Sequence, residues 1–219
     1  MIELYSSPTS NGLKITILLE VLGLEYNYHS IDLERKQNHE PWFLELNPSG
    51  TIPVIKDTSK SPTKIFSESI TIIQYLADEY DIRRQFSYSH NHPLWLEQLQ
   101  WLMWHAASHE PIQYQLHLYK TFLPSPKTSQ GIKDFDYCSD MFENKTRQLF
   151  DVMNNRLKHN NGWFVGNCLN IVDIVIFPWI KRAYAGGLGE LDDWDELKKW
   201  RSKLDGIDSF KRGQLIGVE

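Results

Sequence analysis

The sequence predicts an α/β N-terminal domain over residues 1–80, a linker over 81–91 and an all-helical C-terminal domain over 92–219. Three observations carry that prediction. Short β-like runs alternate with helical ones as far as residue 80, which is the pattern of a small α/β unit. From Asp81 to His92 the chain turns polar and loses any clear period, as linkers do. Beyond that point the apolar residues recur at helical spacing.

Taken in order, Ile2 to Tyr5 reads as the first strand. A helix follows from Asn11 through Leu22, with Leu13, Ile17, Leu18, Val21 and Leu22 on one face and Gly23 at its C-terminal cap. Tyr26 to Ile31 is a second strand, and Trp42 to Leu46 a short helix. The turn cluster Asn47-Pro48-Ser49-Gly50 leads into a third strand over Thr51 to Ile55. Lys64-Ile65-Phe66 is β-like again and gives way at Ser67 to a helix carrying Ile70, Ile73, Leu76 and Ala77. In the second domain Leu94 to Leu123 is helical, with Pro111 ending or kinking it near His109. Lys127 to Lys133 reads as an exposed loop and Asp136 to Leu157 as a further helix. Asn170-Ile171-Val172-Asp173 resembles a capping box, opening the apolar run Ile174 to Ile180 that predicts the core helix of this domain.

The chain of 219 residues is long enough for two domains, and its composition is that of an ordinary globular protein. A net charge of -5 argues against a nucleic-acid surface, which needs clustered Lys and Arg, so a small-molecule partner is expected. No apolar run approaches a membrane span. The two cysteines, Cys138 and Cys168, have neither metal-binding nor Cys-x-x-Cys spacing. They exclude a disulfide framework and a protein-borne redox dithiol, and fit a reducing compartment. A strand beginning at Ile2 leaves no room for a signal or transit segment, so the expected location is cytoplasmic.

Three N-terminal features can hold a small polar ligand. Pro8-Thr9-Ser10-Asn11-Gly12 sits where the first strand meets the first helix. Unpaired amides and the positive dipole end there would stabilise a thiolate or other anion, although a turn with an Asn or Ser cap explains the same residues. Ile52-Pro53 opens a strand. A cis bond would turn the Ile52 backbone outward to pair with a peptide, whereas base rates favour an ordinary trans proline. Ser67-Glu68-Ser69 opens a helix, where Ser69 could take a carboxylate and Glu68 an ammonium, the two charges of a γ-glutamyl group. A helix cap with a first-turn Glu would need no ligand.

Aromatics and histidines crowd the second domain at Trp101, Trp104, His105, His109, Tyr114, His117 and Tyr119, mostly as packing. Trp104, His109 and Tyr114 are the candidates for a second-substrate pocket. His105 and His109 stand one turn apart but lack a His-Glu-x-x-His pattern, and no metal site is expected.

Over nearly its whole length the chain resembles the glutathione transferase superfamily, in particular the bacterial Nu class and the fungal proteins similar to the yeast nitrogen regulator. The resemblance rests on Tyr5-Ser6-Ser7-Pro8-Thr9-Ser10-Asn11-Gly12, Asn47 to Pro53, Phe66-Ser67-Glu68-Ser69, His109-Glu110-Pro111, and Val165-Gly166 running to Asp173 and Pro178-Trp179. It implies a thioredoxin-like N-terminal domain followed by a helical bundle, a symmetric homodimer, and glutathione as co-substrate without a metal. By resemblance Pro53 is cis, Ile52 pairs with the cysteinyl backbone, and Glu68 and Ser69 hold the γ-glutamyl end. His39 contacts the glycyl carboxylate, and Thr9 and Asn11 face the sulfur as the catalytic pair.

The implied activity is conjugation of glutathione to small electrophiles, with glutathione-dependent peroxidase or disulfide-reductase chemistry, in detoxification and oxidative stress. With no cysteine in the first loop, the thiol must be glutathione's own. The chain departs from the Nu-class pattern Glu-Arg-Tyr, which Asp140-Met141-Phe142 matches without the Arg. It also lacks the regulator's long polar tail. The alternative reading is a glutathione-binding regulatory protein with little turnover.

Overall fold

The computed structural model describes residues 1–123 and 135–218. The loop expected at Lys127 to Lys133 lies outside the described residues. Two compact units emerge, Met1–Ser89 with the stretch from Asp205 onward, and His90–Leu204.

The first unit is built on a four-stranded sheet of order β2-β1-β3-β4, with β1 at Ile2–Ser6, β2 at Tyr26–Ser30, β3 at Val54–Asp57 and β4 at Lys64–Phe66. Strands β1 and β2 are parallel because the helix α1 (Ser10–Leu22) carries the chain back between them; β3 runs antiparallel to both β1 and β4. Period-two burial in β1 puts Ile2, Leu4 and Ser6 on the covered face. Helix α1 is buried almost all round from Gly12 to Leu19 and ends as expected at Gly23, whose φ of 64° is the left-handed cap. The short α2 (Pro41–Leu46) lays Phe43 against Ile31 and Val54, and Ile52 packs on that cluster.

Helix α3 spans Ser69–Tyr80, two residues later than the Ser67 start read from the sequence. Glu68 has φ 67° and ψ 111°, so the helical conformation cannot begin before Ser69. Strand β3 likewise starts at Val54, beyond Pro53, rather than at Thr51. The polar stretch after α3 is wound around buried Asp81, whose carboxylate accepts the amides of Gln85 and Phe86 and the Ser87 hydroxyl.

The other covering element of this unit comes from the end of the chain. Helix α9 (Asp208–Leu215) lies on α1 so closely that a Cβ on Gly213 would stand 2.7 Å from Ile17 Cα. Its carbonyl accepts the Thr16 hydroxyl at 2.7 Å, and Arg212 pairs with Glu20 at 2.8 Å.

The second unit is helical, comprising α4 (Trp95–Trp104), α5 (Glu110–His117), α6 (Phe135–His159), α7 (Ile171–Lys181) and α8 (Asp195–Asp205). Between α4 and α5 the chain stays helical but widens into a π turn at His105–His109, where the Glu110 amide donates to the His105 carbonyl. That turn is the form taken by the break expected at Pro111, whose ring cannot sit in regular α-helical register. The residues of α7 from Ile171 to Ile180 are all buried, making it the core helix that the apolar run predicted. Its capping box is present: Asn170 accepts from the Val172 amide and Asp173 from the Asn170 amide, each at 3.0 Å.

Candidate functional site

The residues singled out in the first unit gather at the ends of three elements. At the start of α1, Thr9 is the cap. It takes an extended conformation and its Oγ1 accepts from the Gly12 amide at 3.1 Å. A hydroxyl has two acceptor positions and one hydrogen, so this bond leaves the Thr9 hydrogen available to donate. The loop is closed around it: Thr9 N donates to the Ser7 carbonyl at 2.7 Å, and the Ser7 hydroxyl donates to the Ile31 carbonyl. A Cβ on Gly12 would lie 2.1 Å from the Ser7 carbonyl oxygen, so only glycine allows this approach. Asn11, half-buried, occupies the first turn beside the cap.

Tyr5 lies lower in β1, paired with both His29 and Val54. Its ring stacks on His29 with centroids 4.5 Å apart and 14° between planes. Burial pushes its phenol above the usual tyrosine value, with the Glu3 carboxylate adding to the effect.

The peptide Ile52–Pro53 is cis, the geometry that the family resemblance implied and that base rates alone disfavoured. The Gly50 turn before it, with φ 63°, lies against the His39 ring, and Asn38 donates to the Gly50 carbonyl at 2.6 Å. His39 is therefore held, exposed, beside the strand entrance that carries Ile52.

At the start of α3, Glu68 is exposed and adopts the positive φ that non-glycine residues rarely take. Such a residue persists only where its surroundings impose it, and these conformations concentrate at ligand sites. Ser69, the first residue of α3, is buried, and its Oγ accepts from Lys14 Nζ at 3.3 Å. Lys14, fully buried in α1, is a residue the sequence reading did not single out. Its signal was present as a lysine inside the apolar run from Leu13 to Leu19.

In the second unit, Trp104 and His109 come together, stacked at 5.8 Å and 19°. His109 is fully buried. Gln113 Nε2 donates to the Trp179 carbonyl at 2.7 Å, which leaves Gln113 Oε1 to accept from His109 Nε2 at 2.7 Å. The Nδ1 of His109 then accepts from His105 Nδ1 at 2.8 Å. Tyr114, on the other face of α5, is 49% exposed. Cys138 is half-buried in α6 and Cys168 is exposed, so neither lies in the first unit.

The chain thus combines a thioredoxin-like unit, with a Thr-capped first helix, a cis-proline strand entrance and Glu68 beside Ser69 at the start of α3, with a helical unit. The chain matches the family model described as glutathione S-transferase, N-terminal domain, over residues 7–79, and the corresponding C-terminal domain over residues 138–206. It is similar to the disulfide-bond oxidoreductase YfcG of Escherichia coli, 31% identical over 208 residues that make up 93% of this chain and 90% of that protein. Among solved structures it is similar to a glutathione transferase homolog from Lodderomyces elongisporus with two glutathiones per subunit, at 29% identity, 98% of each chain and a TM-score of 0.89. A glutathione transferase from Pseudomonas putida with one glutathione disulfide per subunit is similar at 27% identity, 98% of this chain, 91% of that one and a TM-score of 0.86.

The chain belongs to the glutathione S-transferase family. No helix among the described residues is long and apolar enough to cross a membrane.

Proposed function

We propose that this enzyme is of the Nu or fungal nitrogen-regulator-like type, holding glutathione in the first unit and passing its thiolate to a disulfide or a small electrophile. Thr9 and Asn11 donate to the sulfur, Ile52 pairs with the cysteinyl backbone, His39 meets the glycyl carboxylate, and Glu68 and Ser69 hold the γ-glutamyl ammonium and carboxylate. Trp104 and Tyr114 offer aromatic surface to the second substrate, with buried His109 fixing the plane of Trp104 by stacking.

The observation that carries the reading is the first turn of α1. The Thr9 hydroxyl is oriented by the Gly12 amide and keeps a hydrogen to give, beside the positive end of the helix dipole. An anion at that point is stabilised, and a thiol that binds there loses its proton more readily.

In disulfide exchange the bound thiolate attacks one sulfur of the substrate disulfide, forming a mixed disulfide and releasing a thiolate. A second glutathione thiolate then attacks the glutathione sulfur of that mixed disulfide, giving glutathione disulfide and the second released thiolate. Both electrons come from the two glutathiones, so no protein cysteine is required. The relative named as a disulfide-bond oxidoreductase and the neighbours carrying two glutathiones or glutathione disulfide support this choice.

Calorimetric titration with glutathione, followed by assays with hydroxyethyl disulfide, a chloronitrobenzene and cumene hydroperoxide, tests the proposal. Turnover of the disulfide is the expected leading activity. Binding without turnover of any of the three would favour the regulatory reading instead. The assembly is expected to be a symmetric homodimer in the cytoplasm, and a monomeric mass by light scattering at micromolar concentration would count against it.

A further inference from the structure

Strand β1 pairs with β2 as far as Ser6, opposite Ser30, and the Ile31 amide adds a bond to the Ser6 carbonyl at 2.8 Å. One residue later the chain bends at Pro8 toward α1. The side chain of Ser7 carries the pairing a step further, because its hydroxyl donates to the Ile31 carbonyl. That acceptor is firmly held: Ile31 is 2% exposed and packs with Phe43 and Val54 in a buried cluster.

The backbone of the same residue holds the cap of α1. The Ser7 carbonyl accepts from the Thr9 amide at 2.7 Å, a bond spanning two residues that closes a γ-turn on Pro8. A proline ring fixes φ at about −65°, which suits the inverse form of that turn. The carbonyl also accepts the Ser6 hydroxyl at 3.3 Å, and a Cβ on Gly12 would come within 2.1 Å of it, so α1 begins in contact with Ser7. Thr9 leaves the turn extended, at φ −87° and ψ 167°, with Oγ1 on the Gly12 amide at 3.1 Å. Where the remaining Thr9 hydrogen points therefore depends on where this turn stands relative to β1 and β2. Packing alone asks for no hydroxyl at Ser7, which is half-exposed and where alanine would serve. A donor that stabilises a charge has to be held to within about 0.5 Å by the groups around it, and the bond to Ile31 supplies that restraint.

We infer that Ser7 is a positioning residue for the thiol chemistry: its hydroxyl, bonded to the Ile31 carbonyl, holds the turn that presents the Thr9 hydroxyl to the glutathione sulfur. The inference rests on the proposed reading of Thr9 and adds to it the residue through which the β1–β2 pair fixes that donor. Ser7 acts through Thr9, with no contact of its own to the sulfur.

The test titrates the thiolate absorbance of bound glutathione in the intact protein and in Ser7→Ala, Ser7→Thr, Thr9→Ala and the Ser7→Ala/Thr9→Ala double variant. Turnover of hydroxyethyl disulfide at saturating glutathione is followed across the same pH range. Ser7→Ala should raise the bound thiol pKa by about half a unit, which lowers the thiolate fraction about threefold below that pKa. Its turnover should fall by the same factor at low pH and return to the parent value once pH exceeds the raised pKa, whereas general damage to the fold would lower turnover at every pH. Calorimetric affinity for glutathione should change less than about twofold, since the rest of the peptide is held elsewhere. Ser7→Thr keeps the hydroxyl and should titrate like the parent. The double variant should shift no further than Thr9→Ala, because two residues acting through one donor are not additive.

A shifted titration in Thr9→Ala with an unshifted one in folded Ser7→Ala overturns the role of Ser7 and leaves the Thr9 reading standing. Additive shifts in the double variant overturn it as well, because Ser7 would then act independently of Thr9. An unshifted Thr9→Ala overturns both. If Ser7→Ala does not fold, a folded Ser7→Thr variant with a shifted titration overturns the inference by itself.

Discussion

Asp173 in α7 offers a test whose size and sign both come from the structure. Its carboxyl is fully buried and accepts three hydrogen bonds, from Trp200 Nε1 at 2.8 Å, the Phe164 amide at 3.3 Å and the Asn170 amide at 3.0 Å. Burial pushes the group up to about 7, against the pull of those donors. Replacing it with Ala orphans three donors inside the unit, at about 1–3 kcal/mol each, so Asp173→Ala should lose about 4 kcal/mol or more of stability at neutral pH.

Asp173→Asn keeps an acceptor for Trp200 and Phe164 but sets an amide donor against the Asn170 amide. It should lose about 1–3 kcal/mol at low pH. The pH dependence then distinguishes burial from hydrogen bonding. A carboxyl at about 7 in the folded state, against an ordinary value of 3.8, keeps its proton in the fold after the unfolded chain has lost it. Its contribution is fully present below pH 4 and declines as pH rises through 7. Three units of difference at about 1.4 kcal/mol each give roughly 4 kcal/mol across that window. Urea unfolding followed by tryptophan fluorescence at pH 4.5, 6 and 8 should therefore show the parent losing its advantage over Asp173→Asn as pH rises. An advantage that grows with pH would mean that the three donors hold an ionised carboxylate, and would refute the reasoning.

Asn11→Ala should raise the pKa of bound glutathione thiol by about one to two units, read from thiolate absorbance against pH, and slow turnover at neutral pH more than it weakens binding. Thr9→Ala should shift it in the same direction; unshifted titrations in both variants and in the double variant would remove this pair from the chemistry. Glu68→Ala should weaken glutathione binding by about 1.5–3 kcal/mol by calorimetry, the range for a bond to a charged group, and Glu68→Gly should do the same while melting higher, because glycine adopts φ 67° without strain. Burial raises the Asp57 carboxyl, but bonds from the Ser59 hydroxyl and amide, Tyr80 and Tyr75 bring it down to about 2, so Asp57 should contribute about 2 kcal/mol that is lost between pH 4 and pH 2 and is missing in Asp57→Asn. Gly213→Ala should destabilise the first unit by about 1–3 kcal/mol in urea unfolding, since its Cβ would overlap the α1 backbone at Ile17; an unchanged midpoint would mean that α9 shifts freely.

Much of the candidate site was legible because its parts are local. Thr9 to Gly12 announce a strand-to-helix junction by residue type, and Asn47 to Gly50 announce a turn before β3. The start of α3 falls later than the Ser67 read from the sequence because capping patterns describe side chains, whereas the positive φ of Glu68 is a backbone feature that residue type does not announce. Lys14 went unnoticed for a related reason. A lysine in a helix usually points to water, and only the meeting of α1 with α3 brings its ammonium to Ser69.

By itself the sequence determined the two architectures, the order of strands and helices over residues 1–80, the capping box of α7 and the confinement of both cysteines to the second half of the chain, because period, turn chemistry and caps are properties of neighbouring residues. Only the tertiary structure decided the sheet order β2-β1-β3-β4, the return of Asp208–Leu215 onto α1, the π turn that absorbs Pro111, and the meeting of buried Lys14 with Ser69. Those depend on contacts between segments far apart in the chain, such as Thr16 with Gly213 and Lys14 with Ser69. Their free energy arises from burial and close approach across the fold, and no window of adjacent residues contains both partners.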